Sequence, residues 1–265
     1  MMTILARITQ NEWKSILRSK WVIIYGLIFL LLTDTLLRFG GSGSEVLLSI
    51  TNVMLLFVPL VSMIYGILFL YQSKEYIQLL LAQPVKRQTL YWGLYIGIST
   101  PLMGAYLVGI MLPLAWHGLL SGESLIASLT VLLLGASLTL IFVALGFLLG
   151  LLFYNDRIKG FGFTIVIWFF MAVLYDGLIL VLIFTLGDFP LEKFVIISSM
   201  LNPIDLARIT VMLEFDISAL MGYTGAAFNQ FFGSSAGVLT SSAMLLTWMV
   251  IPLTVGLRVF SRRDF

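Results

Sequence analysis

Six stretches of this chain are each long and apolar enough to cross a lipid bilayer, and no other feature narrows its possible folds as much. A spanning helix needs about 20 mostly apolar residues. The windows are 21–39, 46–71, 91–116, 125–153, 161–186 and 238–259. Lipid offers no hydrogen-bond partner to an open backbone, and windows of this length satisfy themselves as helices. Composition agrees: 60% of the residues are hydrophobic and 11% charged, against about 25% charged in soluble domains. The expected fold is therefore an all-α integral membrane protein with six transmembrane helices, in one domain over 1–265.

Basic residues set the orientation, because short cytoplasmic connections collect Lys and Arg. Arg7, Lys14, Arg18 and Lys20 precede the first window. Lys74, Lys86 and Arg87 join the second to the third, Arg157 and Lys159 join the fourth to the fifth, and Arg258, Arg262 and Arg263 end the chain. Of fifteen basic residues, only Arg38, Lys193 and Arg208 fall on the other side. Both termini are thus expected in the cytoplasm of a bacterial inner membrane. The first window is too long for a signal core and lacks a small-residue cleavage site after it, so it reads as an uncleaved span.

Segment 1–20 is too polar to span. Arg7, Asn11, Lys14 and Arg18 form one helical stripe, with Met1, Leu5, Ile8 and Ile16 opposite. That pattern suits an amphipathic elbow helix lying on anionic lipid head groups. An ordinary basic flank to the first span is the plainer alternative.

Several chemistries are excluded. There is no cysteine and one histidine, His117, so thiolate sites and His clusters cannot be assembled within one chain. No phosphate-binding G-x-x-x-x-G-K-[ST] occurs, so any ATP hydrolysis belongs to another chain. No cofactor is expected here, and no nucleic-acid partner.

A docking place for such a partner is sought in 72–90. The stretch is helix-compatible up to Pro84, which stops the backbone ladder. Ile77, Leu80 and Leu81 make an apolar face able to press into a partner's groove. The alternative is a positive-inside loop with a short interfacial helix.

These residues carry a resemblance. Glu75-Tyr-Ile-Gln-Leu-Leu-Leu-Ala-Gln-Pro-Val-Lys-Arg87 resembles the E-x-x-x-x-LL-x-x-P-[IV]-x-R stretch of ABC-2-type transporter permeases, and Phe260-Ser-Arg-Arg-Asp-Phe265 resembles their F-x-R-R-D-[LF] tail. The family often has Gly-Thr at Tyr76-Ile77 and Gly-Lys at Gly93-Leu94. The hydropathy plan agrees across the whole chain. The resemblance implies a coupling helix contacting a cytoplasmic ABC ATPase, which binds ATP and Mg, through Glu75, Ile77, Leu80, Leu81, Pro84 and Arg87. It also implies a second copy of the chain. Leu201-Asn-Pro-Ile-Asp-Leu-Ala-Arg208 and Leu220-Met-Gly-Tyr-Thr-Gly-Ala-Ala-Phe228 are similar to the NosY-type permease of nitrous oxide reductase maturation. That narrower likeness implies a periplasmic copper-site assembly protein as partner, with Asn202, Asp205 and Arg208 as its contact.

In 187–237, the outer segment, Asn202 suits a helix cap, Pro203 the first turn and Asp205 the positive end. A helix from 202 to about 214 is expected on or above the outer face. Met200, Met212 and Met221 are too dispersed to hold copper. Two acids fall inside windows, Asp34 and Asp176; intramembrane charge is costly and marks function by default. Asp34 has Arg38 at i+4. Asp176 has no nearby partner and is expected at a dimer interface, a wet cavity or the outer interface. Tyr175-Asp176 is similar to the Tyr-Asp pair of intramembrane aspartyl proteases, but the accompanying Gly-x-Gly-Asp is absent. Gly104, Gly109, Gly135, Gly146 and Gly150 read as packing positions.

The function these features imply is the non-catalytic permease subunit of an ABC transporter, in nitrous oxide reductase copper-site maturation. A general ABC-2 exporter of lipid, drug or peptide is the alternative. A secondary transporter normally shows inverted repeats, which are absent, and a membrane enzyme lacks its acids and bases.

Overall fold

The computed structural model describes residues 9–10, 12–13, 16, 19–41, 43–185, 192–214 and 235–263. Their helices are α1 (Lys20–Phe39), α2 (Gly43–Gln72), α3 (Lys74–Leu81), α4 (Arg87–Trp116), α5 (Leu125–Leu152), α6 (Arg157–Phe169), α7 (Tyr175–Thr185), α8 (Glu192–Met200), α9 (Pro203–Glu214) and α10 (Ser235–Arg262). A π turn, Phe170–Leu174, joins α6 to α7 without a break. Six helices are long and apolar enough to cross a membrane: α1, α2, α4, α5, the continuous α6–α7 and α10. Each corresponds to one expected window. No strand occurs among the described residues.

α5 is the centre of the bundle and its most buried span. It packs most extensively on α2, then on α10 and α4, while α1 lies against α4. The closest approach is built from small residues. A Cβ on Gly146 would collide with the Met63 carbonyl, and one on Gly66 would come within 2.9 Å of the Val143 carbonyl. α1 and α4 cross likewise, where a Cβ on Gly109 would sit 2.7 Å from the Gly26 carbonyl. Such contacts drive helix association where lipid is as apolar as the side chains. Gly104 differs from the expectation: it faces open space and serves no packing.

The fifth span is peripheral, with Gly160, Thr164, Met171 and Ala172 its buried residues. α8 and α9 form a hairpin packed between this span, α2, α5 and α10. Its turn is deep. Asn202 Nδ2 donates to the Met171 carbonyl at 2.7 Å, and Trp248 Nε1 donates to the Met200 carbonyl at 3.2 Å. Met171 lies fourteen residues beyond Arg157, and Trp248 fourteen before Arg262. At 1.5 Å per residue, both lie about 21 Å from the basic end of the bundle. Within a core about 30 Å thick, the hairpin dips into the far half of the bilayer. The helix from 203 to 214 forms as expected, but it is not perched on the surface. Leu206, Ile209 and Val195 are buried with Met244 and Leu245 packed on them, a surface too apolar to leave in water.

Candidate functional site

Two polar regions stand out, one at each end of the bundle. At the basic end, α3 lies across the exit of α2. Ile77 is fully buried and Leu80 and Leu81 are half-buried against the core. The apolar face expected to enter a partner's groove is therefore turned into the chain's own core, because lodging Ile77 there holds this short helix in place. What α3 shows outward is Glu75, Gln78 and Leu79, with Leu79 60% exposed, and Ala82 follows them exposed at its end. Pro84 is exposed beyond a tightened last turn, where Gln83 N–H donates to the Leu80 carbonyl at 3.1 Å.

Arg87, expected at the ATPase contact, is partly buried and engaged within the chain. Its guanidinium donates to the carbonyls of Ser261 and Arg263, at 3.0 and 2.6 Å. A cation here satisfies the orphan carbonyls and the negative pole of α10. Arg263 in turn donates to the Leu151 carbonyl at the end of α5. Tyr154 is flanked by Lys74 at 4.7 Å and Arg263 at 5.0 Å, both over its ring. Phe260 is fully buried, 5.7 Å from the ring of Tyr91. The basic residues and the tail motif thus bracket α3, α4, α5 and α10 together.

The whole of the expected elbow stripe, Arg7, Asn11, Lys14 and Arg18, lies outside the described residues, as does 220–228. The described neighbours lie against the bundle. Trp13 Nε1 donates to Thr100 Oγ1 at 2.8 Å, and the Ser19 and Tyr65 hydroxyls are 2.9 Å apart. Ile16 is buried. Glu12 packs on Gly97, where an added Cβ would lie 2.6 Å from its own Cβ. Burial raises the Glu12 carboxyl above its ordinary range, and the nearby Glu12 charge adds to burial in raising the Tyr76 hydroxyl. The amino-terminal segment and α3 are therefore electrostatic neighbours.

At the far end, the structure joins four of the predicted residues. Arg208 pairs with Asp176 and lies 3.7 Å from Asp205. Asp176, which has no partner near it in sequence, gains one from the hairpin, and Asn202, Asp205 and Arg208 are turned toward the fifth span. Asn202 is 1% exposed; its Oδ1 accepts from Ile204 N–H at 3.1 Å, capping α9 as expected. Its amide meets the π-turn carbonyl of Met171, a use no capping rule predicts. Tyr175 adds a hydrogen bond to the Ser198 carbonyl. The Asp205 carboxyl is pushed up to about 6 by burial and by the Asp176 charge, with Arg208 opposing.

Asp34 keeps its expected Arg38 partner at 2.8 Å, and also accepts from Trp116 Nε1 at 3.2 Å and meets His117 Nε2 at 3.0 Å. This cluster fastens α1 to the end of α4. Among the described residues, no group of three or more His, Cys, Asp or Glu could hold a metal. Compared with known proteins, the chain matches no family model and no curated protein.

Proposed function

We propose that this chain is the membrane subunit of an ATP-driven ABC-2-type transporter, with hydrolysis on a separate ATPase that docks at α3. The observation carrying this reading is the geometry of α3. A short helix between two spans, anchored by the fully buried Ile77, presents Glu75, Gln78 and Leu79 to solvent beside basic residues. Force applied to that outer face passes through Ile77 into the core, and through Arg87 into α4 and α10. The docking face is thus Glu75, Gln78, Leu79 and Ala82, with Ile77, Leu80 and Leu81 as its footing. The broad apolar flank of the fifth span leaves room for a second copy of the chain. The basic end is cytoplasmic on the charge bias.

The narrower role, maturation of a copper site in nitrous oxide reductase with a periplasmic assembly protein, rests on the resemblance of 201–208 and 220–228. The first stretch is occupied in packing against the fifth span, so its partner surface would lie on neighbouring residues of the outer segment.

Leu79→Asp tests the docking. A buried apolar anchor contributes about 1.5–3 kcal/mol, so association should weaken at least tenfold. Purification of the chain from its native membranes should retain a vanadate-sensitive ATPase with the wild type and lose it with Leu79→Asp and Glu75→Lys. Undiminished ATPase in both variants, each correctly inserted, refutes docking at α3.

A further inference from the structure

A groove of about 350 Å³ runs between α4, α5 and α10, lined by Trp92, Ser99, Thr100, Leu140, Val250 and Thr254 among others. None of its lining residues is charged, and all belong to spanning helices. Along α4 it extends from Trp92 to Met103, about 8–24 Å from Arg87 at 1.5 Å per residue. It therefore opens in the leaflet nearer the basic end and reaches past the middle of the bilayer. A helix of similar length, about 10 Å wide, would need on the order of 1,000 Å³, so neither a transmembrane helix nor a second copy seats fully in it. An acyl chain does.

The polar groups say more. Ser99 is 1% exposed and lines the groove. The Trp92 indole N–H makes no hydrogen bond among the described residues, at the depth where interfacial tryptophans meet head groups. One turn nearer the basic end on each wall stand the exposed Gln88 and Arg258. Arg258 has no ion pair or hydrogen bond among the described residues. A long cationic side chain at such a place reaches along the helix to the interface.

We propose that this groove is a binding site for one anionic phospholipid of the basic-end leaflet, with an acyl chain between α4 and α10 and its phosphate at Arg258. Gln88 and the Trp92 N–H serve the glycerol and ester oxygens. The site joins the amino-terminal segment to the lipid, since Thr100 on the groove wall accepts from Trp13. The inference does not depend on the transporter reading.

The full chain, delipidated in detergent, is titrated with phosphatidylglycerol or phosphatidylcholine, and bound lipids are counted by native mass spectrometry. The wild type should hold one phosphatidylglycerol in preference to phosphatidylcholine. Arg258→Gln should reduce that preference about fivefold, since one basic residue near the head groups contributes about that factor. Thr254→Trp, at an exposed position, fills the groove and should abolish the tight lipid. Leu133→Trp, 66% exposed on α5 outside the lining, should leave it unchanged. Equal affinity for the two lipids, retention in Thr254→Trp, or an equal loss in Leu133→Trp would each overturn the proposal.

Discussion

Replacing Arg208 by Gln should destabilise the protein much more than replacing Asp176 by Asn, although each change removes half of one ion pair. The asymmetry follows from the third member. Arg208 faces Asp176 and, at 3.7 Å, Asp205, which is 8% exposed. Without Arg208, two carboxylates confront each other with no cation. Removing one partner of a buried pair costs about 3–5 kcal/mol. The Arg208 and Asp176 side chains keep 23% and 33% exposure, so solvent recovers part of that, leaving about 2 kcal/mol. Asp176→Asn instead leaves Arg208 its second carboxylate and relieves repulsion on Asp205, so its cost stays below about 1 kcal/mol. The double variant should be more stable than Arg208→Gln alone, because only one carboxylate then remains. The assay is reversible unfolding in mixed micelles by SDS titration near pH 7.5. Equal losses for the two single variants, or strictly additive losses in the double, would show that the three groups do not act together.

The Asp205 carboxyl gives a pH signature. Its folded pKa, about 6, lies above the ordinary 3.8, so the folded state binds the proton more tightly than the unfolded chain. Its contribution is fully present below pH 4 and is lost as pH rises to 6; Asp205→Asn should remove that slope from the unfolding free energy. Asn202→Ala should cost about 1–3 kcal/mol by leaving the Met171 carbonyl unpaired and uncapping α9, whereas Asn202→Ser, which keeps a cap, should lose less; identical losses in the same titration would assign the whole effect to the bond to Met171 and none to the cap. Gly146→Leu drives a side chain against the Met63 carbonyl and should prevent folding, while Gly104→Ala should be neutral or gain up to about 1 kcal/mol, as read by yield and thermal midpoint. A reporter fused after residue 265 should behave as cytoplasmic; periplasmic behaviour would reverse the orientation and remove the case for docking at α3.

The spans were legible because hydropathy acts residue by residue: 91–116 and 125–153 became Arg87–Trp116 and Leu125–Leu152 with ends moved by at most four residues. Polar flanks such as Arg87-Gln-Thr continued into helix because tertiary contacts, here the α10 carbonyls, stabilise them. The α9 cap was legible for the same local reason. The inward turn of Ile77 was not, since an apolar stripe on a short helix reads alike whether a partner or its own core covers it. The Asp176–Arg208 pair spans 32 residues, beyond any periodicity. One signal was present: with Arg38 given to Asp34, Arg208 was one of only two remaining basic residues on the far side. The depth of the hairpin turn was hidden because its residues are too few and too polar to register as a membrane segment.

The π turn at Phe170–Leu174 sets the rotational phase of everything beyond it. Winding five residues where an α-helix needs fewer is the trace an inserted residue leaves. Each α-helical residue advances about 100° and 1.5 Å, so deleting Ala172 and restoring regular winding would swing Tyr175 and Asp176 about a quarter turn around the span. Both would then point away from Ser198 and Arg208, though every charge and hydroxyl remained in the chain. The fifth span therefore tolerates substitution of its lipid-facing residues far better than any change in their number. Two homologous sequences that differ by one residue here would need aligning through the turn, not across it, for their acids to correspond.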